Sequence, residues 1–171
     1  MPHGLLMPRR DKRGMGLALR RPASVALLPL PRRNALVARV AAGEWNAFSE
    51  ALEIINVHLS APTRPSILGL RREQVRLLRD YLALAPKRRV LAGDLNSMRI
   101  FPAYRVLRGL LRDAALERRP FPAPTWGPTA SWPRFLRIDH VMTHGFRTVD
   151  VEVMHVRGSD HSAVLATLET A

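Results

Sequence analysis

The sequence predicts one mixed α/β (α+β) domain, and three observations predict it. Short apolar runs broken by proline fill the first sixty residues, as in an antiparallel meander. Two longer stretches, 68–85 and 101–116, carry apolar residues at helical spacing. Three further strand-like runs close the chain after a loop rich in proline and aromatic residues. The 171 residues suffice for a sizeable core. No internal repeat, low-complexity segment or second domain is evident.

In chain order, residues 1–13 read as a basic, irregular arm, and 14–171 as the single domain. Gly16–Arg20, Ser24–Leu30 and Ala35–Ala41 read as strands, separated by Pro22 and the cluster Pro29–Asn34. Ala42–Ser49 is a loop, with Trp45 and Phe48 packed beneath it. Ala51–His58 is a strand that ends on a histidine. Leu68–Ala85 is the clearest helix: Val75, Leu78, Tyr81 and Leu82 form its apolar stripe, and Pro86 ends it. Arg71, Arg72, Arg76 and Arg79 read as its solvated face. Arg89–Leu95 is a buried strand. Phe101–Leu116 is a second helix, with Pro102 near its start and Tyr104, Leu107, Leu111 and Ala115 in one stripe. Pro120–Pro133 is a rigid loop carrying Trp126 and Trp132, either for packing or for stacking on bases. Leu136–Thr143, Val149–Val156 and Ala163–Leu168 are the closing strands.

Composition narrows the function. Net charge is +13, which draws the chain toward polyanions, nucleic acid above all. Lysine occurs only at Lys12 and Lys87, so the charge is almost all arginine, a skew that codon usage also produces. With no cysteine there is no disulfide, thiolate metal site or thiol nucleophile. No stretch of signal-peptide or membrane-span character occurs, and a cytoplasmic location is the default expectation.

The chemistry gathers where apolar strands run out. In RVLAGDLN, Val90–Ala92 stop at Gly93, followed by Asp94 and Asn96. On an extended backbone residues two apart leave by one face. A carboxylate beside an amide suits a hydrated cation or a phosphate oxygen; an Asp-x-Asn turn is the plainer alternative. His58 closes one strand, Asp139 lies in RIDHVM, and Asp160-His161 sit in the turn GSDHSAV. Taken singly, each has a structural explanation. Together, two histidines, three carboxylates and an amide fit phosphodiester hydrolysis: a carboxylate-oriented histidine as base, and hard oxygens for a divalent cation. His140 and His144, four apart on a strand, lie about 13 Å apart and do not share a zinc.

NVHLSAP, LAGDLN, RIDHVM and GSDHSAV, in this order, resemble the endonuclease/exonuclease/phosphatase superfamily, the DNase I-like proteins. The resemblance runs from about Gly14 to Glu169. It implies a four-layer αββα sandwich and a divalent-metal-dependent phosphodiester hydrolase, most simply a DNA nuclease using Mg2+ (or Mn2+ or Ca2+). By resemblance, His161 activates the attacking water and Asp139 orients it. Asp94 and Asn96 contact phosphate, nucleophile and metal, Asp160 contacts metal or water, and His58 contacts the phosphate or serves as general acid. His140 matches a position expected to be structural. Alternatives are a catalytically weak or inactive nucleic-acid-binding remnant of the same fold and a phosphodiesterase or phosphatase acting on a smaller phosphate ester.

The sequence departs from the family pattern at its start. GMGLALRRP matches a segment that family members precede with an asparagine-bearing strand and a strand ending in Gln-Glu, whose glutamate is a principal metal ligand. The expectation is an N-terminally truncated sandwich whose uncovered sheet favours self-association into a homo-oligomer. Substitute carboxylates would come from Asp11, Glu44, Glu50 or a second subunit.

Overall fold

A computed structural model describes residues 3–8, 14–45, 49–84 and 88–171. Its elements in chain order are β1 (His3–Met7), β2 (Met15–Leu19), β3 (Ser24–Leu30), β4 (Arg33–Val40), β5 (Leu52–His58), α1 (Pro65–Ala83), β6 (Arg88–Asp94), α2 (Pro102–Arg108), β7 (Arg112–Asp113), α3 (Ala114–Arg118), β8 (Asp139–His144), β9 (Phe146–His155) and β10 (Ser162–Thr170).

Six strands form the central sheet in the order β3-β4-β5-β6-β8-β7. β3, β4 and β5 are the antiparallel meander expected from the proline breaks. β5 and β6 run parallel, a geometry that needs a long crossover, and α1 supplies it. Pro65 opens α1, where its missing N–H costs nothing. Side-chain alternation sorts the sheet's two faces. Ile55, Val57 and Leu91 meet Val75, Leu78 and Leu82 of α1 and Leu107 of α2. Ile54 and Val90 point the other way, into a smaller cluster with Leu52, Phe146 and Leu168 of β10. The hairpin β9–β10 therefore lies against the face opposite the helices. The pair β1–β2 is tied to that same side, where Asn56 Nδ2 donates to the Gly16 carbonyl at 2.7 Å. This is the mixed α/β sandwich expected. Among the described residues β10 pairs with β9 alone, and Met154 and Leu165 of this hairpin are exposed.

Three expectations need correction. Residues 3–7 are not an irregular arm: HGLLM pairs residue by residue with MGLAL as β1–β2. Its alternating burial depends on a partner that the basic local sequence does not reveal; residues 9–13 lie outside the described residues. The helix over 101–116 is broken. α2 stops at Arg108 and α3 starts at Ala114, because the Asp113 carboxylate caps α3 through the Ala115 N–H at 2.9 Å. The stripe Tyr104, Leu107, Leu111 and Ala115 is nonetheless buried as expected. Finally, Arg71 is not on the solvated face. It is only 6% exposed and donates to backbone carbonyls at the sheet's rim. Arg76 pairs with Glu73 and Asp80, and Arg79 with Asp80, so this helix offers less free charge than composition suggests.

Trp45 packs on the smaller cluster as expected; Phe48 and Pro86 lie outside the described residues. Of the substitute carboxylates, Glu44 accepts the Ala41 N–H and Glu50 pairs with Arg88, while Asp11 lies outside the described residues.

Candidate active site

Strand register assembles the first half of the site. His58 at the end of β5 lies opposite Asp94 at the end of β6, and Asp94 opposite Asp139 at the start of β8. Alternation turns all three side chains to the face away from the helices. His58 Nε2 lies 3.3 Å from Asp94 Oδ2. Gly93 makes the close approach of β5 and β6 feasible: its φ is +142°, and a Cβ there would meet the Val57 carbonyl oxygen at 2.0 Å.

The Asp94–Asn96 step is a turn. Asn96 sits at φ +46°, a left-handed conformation that asparagine tolerates better than most residues. Its N–H donates to Asp94 Oδ1 at 2.7 Å, and its Nδ2 donates to Asp94 Oδ2 and the Leu59 carbonyl, both at 2.9 Å. With both amide hydrogens committed, Oδ1 is the acceptor the side chain presents. The carboxylate and amide are side by side, but a turn brings them together where an extended backbone was expected.

The second half comes from the far end of the chain. His161 Nδ1 donates to Asp139 Oδ2 at 2.8 Å, and the His161 N–H donates to Ser159 Oγ at 3.0 Å. The Thr125–Gly127 segment joins the two strands that supply this pair. Buried Thr125 Oγ1 accepts the N–H groups of Ile138 and Asp139, and its carbonyl accepts the Ser162 N–H at 2.7 Å. The Gly127 N–H donates to the Asp160 carbonyl, and Trp126 bridges both Leu136 and His161. Sequence reasoning missed Thr125, whose hydroxyl matters only through contacts distant in the chain. Trp126 packs edge-on against Phe135, while Trp132 is exposed.

Asp94, Asp139 and His161 each offer a ligand atom within 4.8 Å of the others. Burial pushes the Asp94 carboxyl up to about 6; the Asn96 N–H opposes this and the Asp139 charge adds to it. His161 is raised above its ordinary value, chiefly by its hydrogen bond to Asp139. His58 is lowered to about 4 by burial and then by the charges of Arg33 and His161, so it is neutral at pH 7. Arg33, at the start of β4, is a second residue sequence reasoning missed. Asp160 is adjacent to His161 and raises its proton affinity, but its carboxylate is not in the close trio.

Two half-buried carboxylates this close, one of them driven toward protonation, suit a divalent cation with hard oxygen ligands. His140 takes no part in the site: it is buried, with both ring nitrogens bonded elsewhere.

A model of the endonuclease/exonuclease/phosphatase family matches residues 2–161. No curated protein sequence matches. Among solved structures, a functionally unknown conserved protein from Enterococcus faecalis shares 17% identity at TM-score 0.61, over 81% of this chain and 57% of its own. A humanized D. rerio TDP2 shares 19% identity at TM-score 0.74, over 98% and 76%. The 3′ phosphatase NExo from Neisseria, bound to a product DNA hairpin, shares 19% identity at TM-score 0.72, over 98% and 79%. The chain thus spans little more than half of the first of these.

Proposed function

The chain belongs to the endonuclease/exonuclease/phosphatase family, and on that premise we propose that it is a divalent-metal-dependent phosphodiester hydrolase acting on DNA. The observation that carries this is the meeting of His161, Asp139 and Asp94, from three separate parts of the chain, within 4.8 Å.

With Nδ1–H held by Asp139, the neutral His161 ring has its Nε2 lone pair available to accept a proton from the attacking water. Asp139 then stabilises the imidazolium that forms. Asn96 and neutral His58 lie beside Asp94 to contact the phosphate. A shared cation on His161 and Asp139 would break the hydrogen bond between them. Asp94, with Asn96 Oδ1 beside it, is therefore the better holder, and the Asp160 carboxylate lies outside the close trio. A divalent ion held there would supply Lewis-acid chemistry, offsetting negative charge on the phosphate. The +13 net charge favours a polyanion over a small ester, and two similar structures were solved with DNA. No helix of the described residues is long and apolar enough to cross a membrane.

Supercoiled plasmid tests the proposal, incubated with Mg2+ or Mn2+, with EDTA, and with the His161→Ala variant. Metal-dependent cutting that the variant loses is the expected result. DNA that is retarded in a gel but left intact identifies a binding protein instead, and equal cutting by the variant removes His161 as the base.

A further inference from the structure

We propose that Arg71 is a positioning residue for the reaction, holding the segment that follows His58 and the Asp94–Asn96 turn in one geometry. This rests on the hydrolase reading above and extends it to a residue on α1 with no direct part in the chemistry.

Arg71 is only 6% exposed. One arm of its guanidinium, Nη1, donates to the Ser60 carbonyl, two residues past His58. The other, Nη2, donates to the carbonyls of Leu95 at 2.7 Å and Asn96 at 3.0 Å, and to Ser97 Oγ. One planar group thus ties the chain after β5 to the chain after β6. Gln74, fully buried and one turn further along α1, completes the brace. Its Oε1 accepts the Ser60 N–H at 3.0 Å, and its Nε2 donates to Ser60 Oγ at 3.1 Å and to the Pro31 carbonyl at 2.8 Å. Pro31 is in the β3–β4 turn, just before Arg33, so a third piece of the rim is held by the same helix.

Packing alone does not account for a guanidinium here. Burial disfavours its charge, which the Asp94 charge offsets only in part, and the hydrogen bonds above go to carbonyls and a hydroxyl rather than to a carboxylate. The strained residue of the site depends on it most. Asn96 holds a left-handed conformation, and its own carbonyl is one of Arg71's acceptors. Release of that carbonyl lets the turn relax and carries Asn96 Oδ1 and the Asp94 carboxylate away from the phosphate. A lysine keeps the charge but offers a single ammonium in place of the fork, so it cannot reach both loops.

The test compares wild type, Arg71→Lys and, as a second variant, Gln74→Met, for plasmid cutting and for amide hydrogen exchange. In Arg71→Lys, kcat should fall about 10- to 100-fold, as expected for a small misplacement of reacting groups, with KM within about threefold of wild type. Exchange should speed up over residues 59–61 and 95–98 while β3, β4 and β9 keep their protection. Gln74→Met should show a smaller version of both effects. Unchanged kcat in Arg71→Lys overturns the proposal, as does a fall in kcat accompanied by lost protection across the whole central sheet. A wild type that cuts no DNA sinks the hydrolase reading, and the exchange data then still decide whether Arg71 braces the two loops. A wild type and an Arg71→Lys variant that cut equally well sink this inference alone.

Discussion

Two adjacent residues of β8, Asp139 and His140, each form half of a histidine–carboxylate pair, and the two pairs lie in different surroundings. Asp139 faces away from the helices and accepts from His161; the side chains of that pair are 19% and 30% exposed. His140 faces the helices and meets Asp113 at 3.0 Å; both of those side chains are 2% exposed. His140 has both nitrogens engaged, the second at 2.9 Å from the Ser97 carbonyl, and its ring lies 4.9 Å from Tyr104. Asp113 is equally committed, to the Tyr104 O–H and the Ala115 N–H. His161 is held by one nitrogen and presents the other. The type of pair is therefore a poor guide to its role; a free ring nitrogen beside a carboxylate cluster is a better one.

The largest effect should come from breaking the exposed pair. His161→Ala removes the proposed base and should lower kcat about 10³- to 10⁴-fold, measured by plasmid cutting at saturating metal. Asp139→Asn should cost nearly as much, because the two act as a unit, and the double variant little more than either single one. Stability should change by no more than about 1 kcal/mol in urea unfolding, since the pair is partly exposed. Losses that multiply in the double variant would show that the two residues act separately.

Breaking the buried pair should show the opposite pattern. His140→Ala leaves a buried carboxylate without its partner and should cost about 3–5 kcal/mol of unfolding free energy. Residual folded protein should keep a kcat close to wild type when assayed well below its melting temperature. A kcat loss as deep as that of His161→Ala in the folded fraction would dissolve the contrast between the two faces of β8.

The same contrast explains what could be read from the chain beforehand. Polar residues at strand ends were legible because a buried strand advertises itself by composition, and the Ser24–Leu30 strand lies where it was read. The resemblance carried by the motifs implied that His58, Asp94, Asn96, Asp139, Asp160 and His161 converge. Register brings together His58, Asp94 and Asp139, a turn adds Asn96 and a hydrogen bond adds His161, while the Asp160 carboxylate stays outside the close trio. Asp113 was invisible: an apolar stripe at helical spacing fits one long helix or two short ones equally well, and only its bonds to Tyr104 and His140 explain why it ends one and caps the next. Arg71 and Thr125 were misread or missed for a related reason. Their partners lie from 11 to 37 residues away, and no local pattern marks a guanidinium or a hydroxyl as buried.

A cation at the site should stabilise the fold by a moderate amount and show which half of the exposed cluster holds it. Mn2+ at about a hundredfold excess over its Kd should add about 2.7 kcal/mol to unfolding free energy. Asp94→Asn should abolish that gain, and His161→Ala should keep it. If His161→Ala loses it as well, the cation sits among Asp94, Asp139 and His161, and the histidine is a ligand rather than a base. EDTA should return wild type to the stability measured without metal.

The smallest effect should come from pH, and it separates the two pairs by sign. The hydrogen bond to Asp139 raises His161 above its ordinary 6.5, and only the neutral ring can act as base. Cutting should therefore fall about tenfold per unit of pH below that raised value. Stability runs the other way. A histidine raised on folding contributes fully below its unfolded value, and that contribution is lost as pH rises through the folded one. Activity should thus appear over the same interval in which this small contribution fades. Burial pushes Asp113 up, but the hydrogen bond from His140, its charge and the Tyr104 hydroxyl outweigh burial and hold the carboxyl below its ordinary value. Its contribution is present above the unfolded carboxylate value and is lost as pH falls through the lower, folded one. Urea unfolding measured across acid pH should show the loss from Asp113 at carboxylate pH, well below the inflection in the rate profile. Asp139→Asn should move the rate inflection down and leave the acid unfolding step in place. A rate that stays flat from acid to alkaline pH would remove His161 as the proton acceptor.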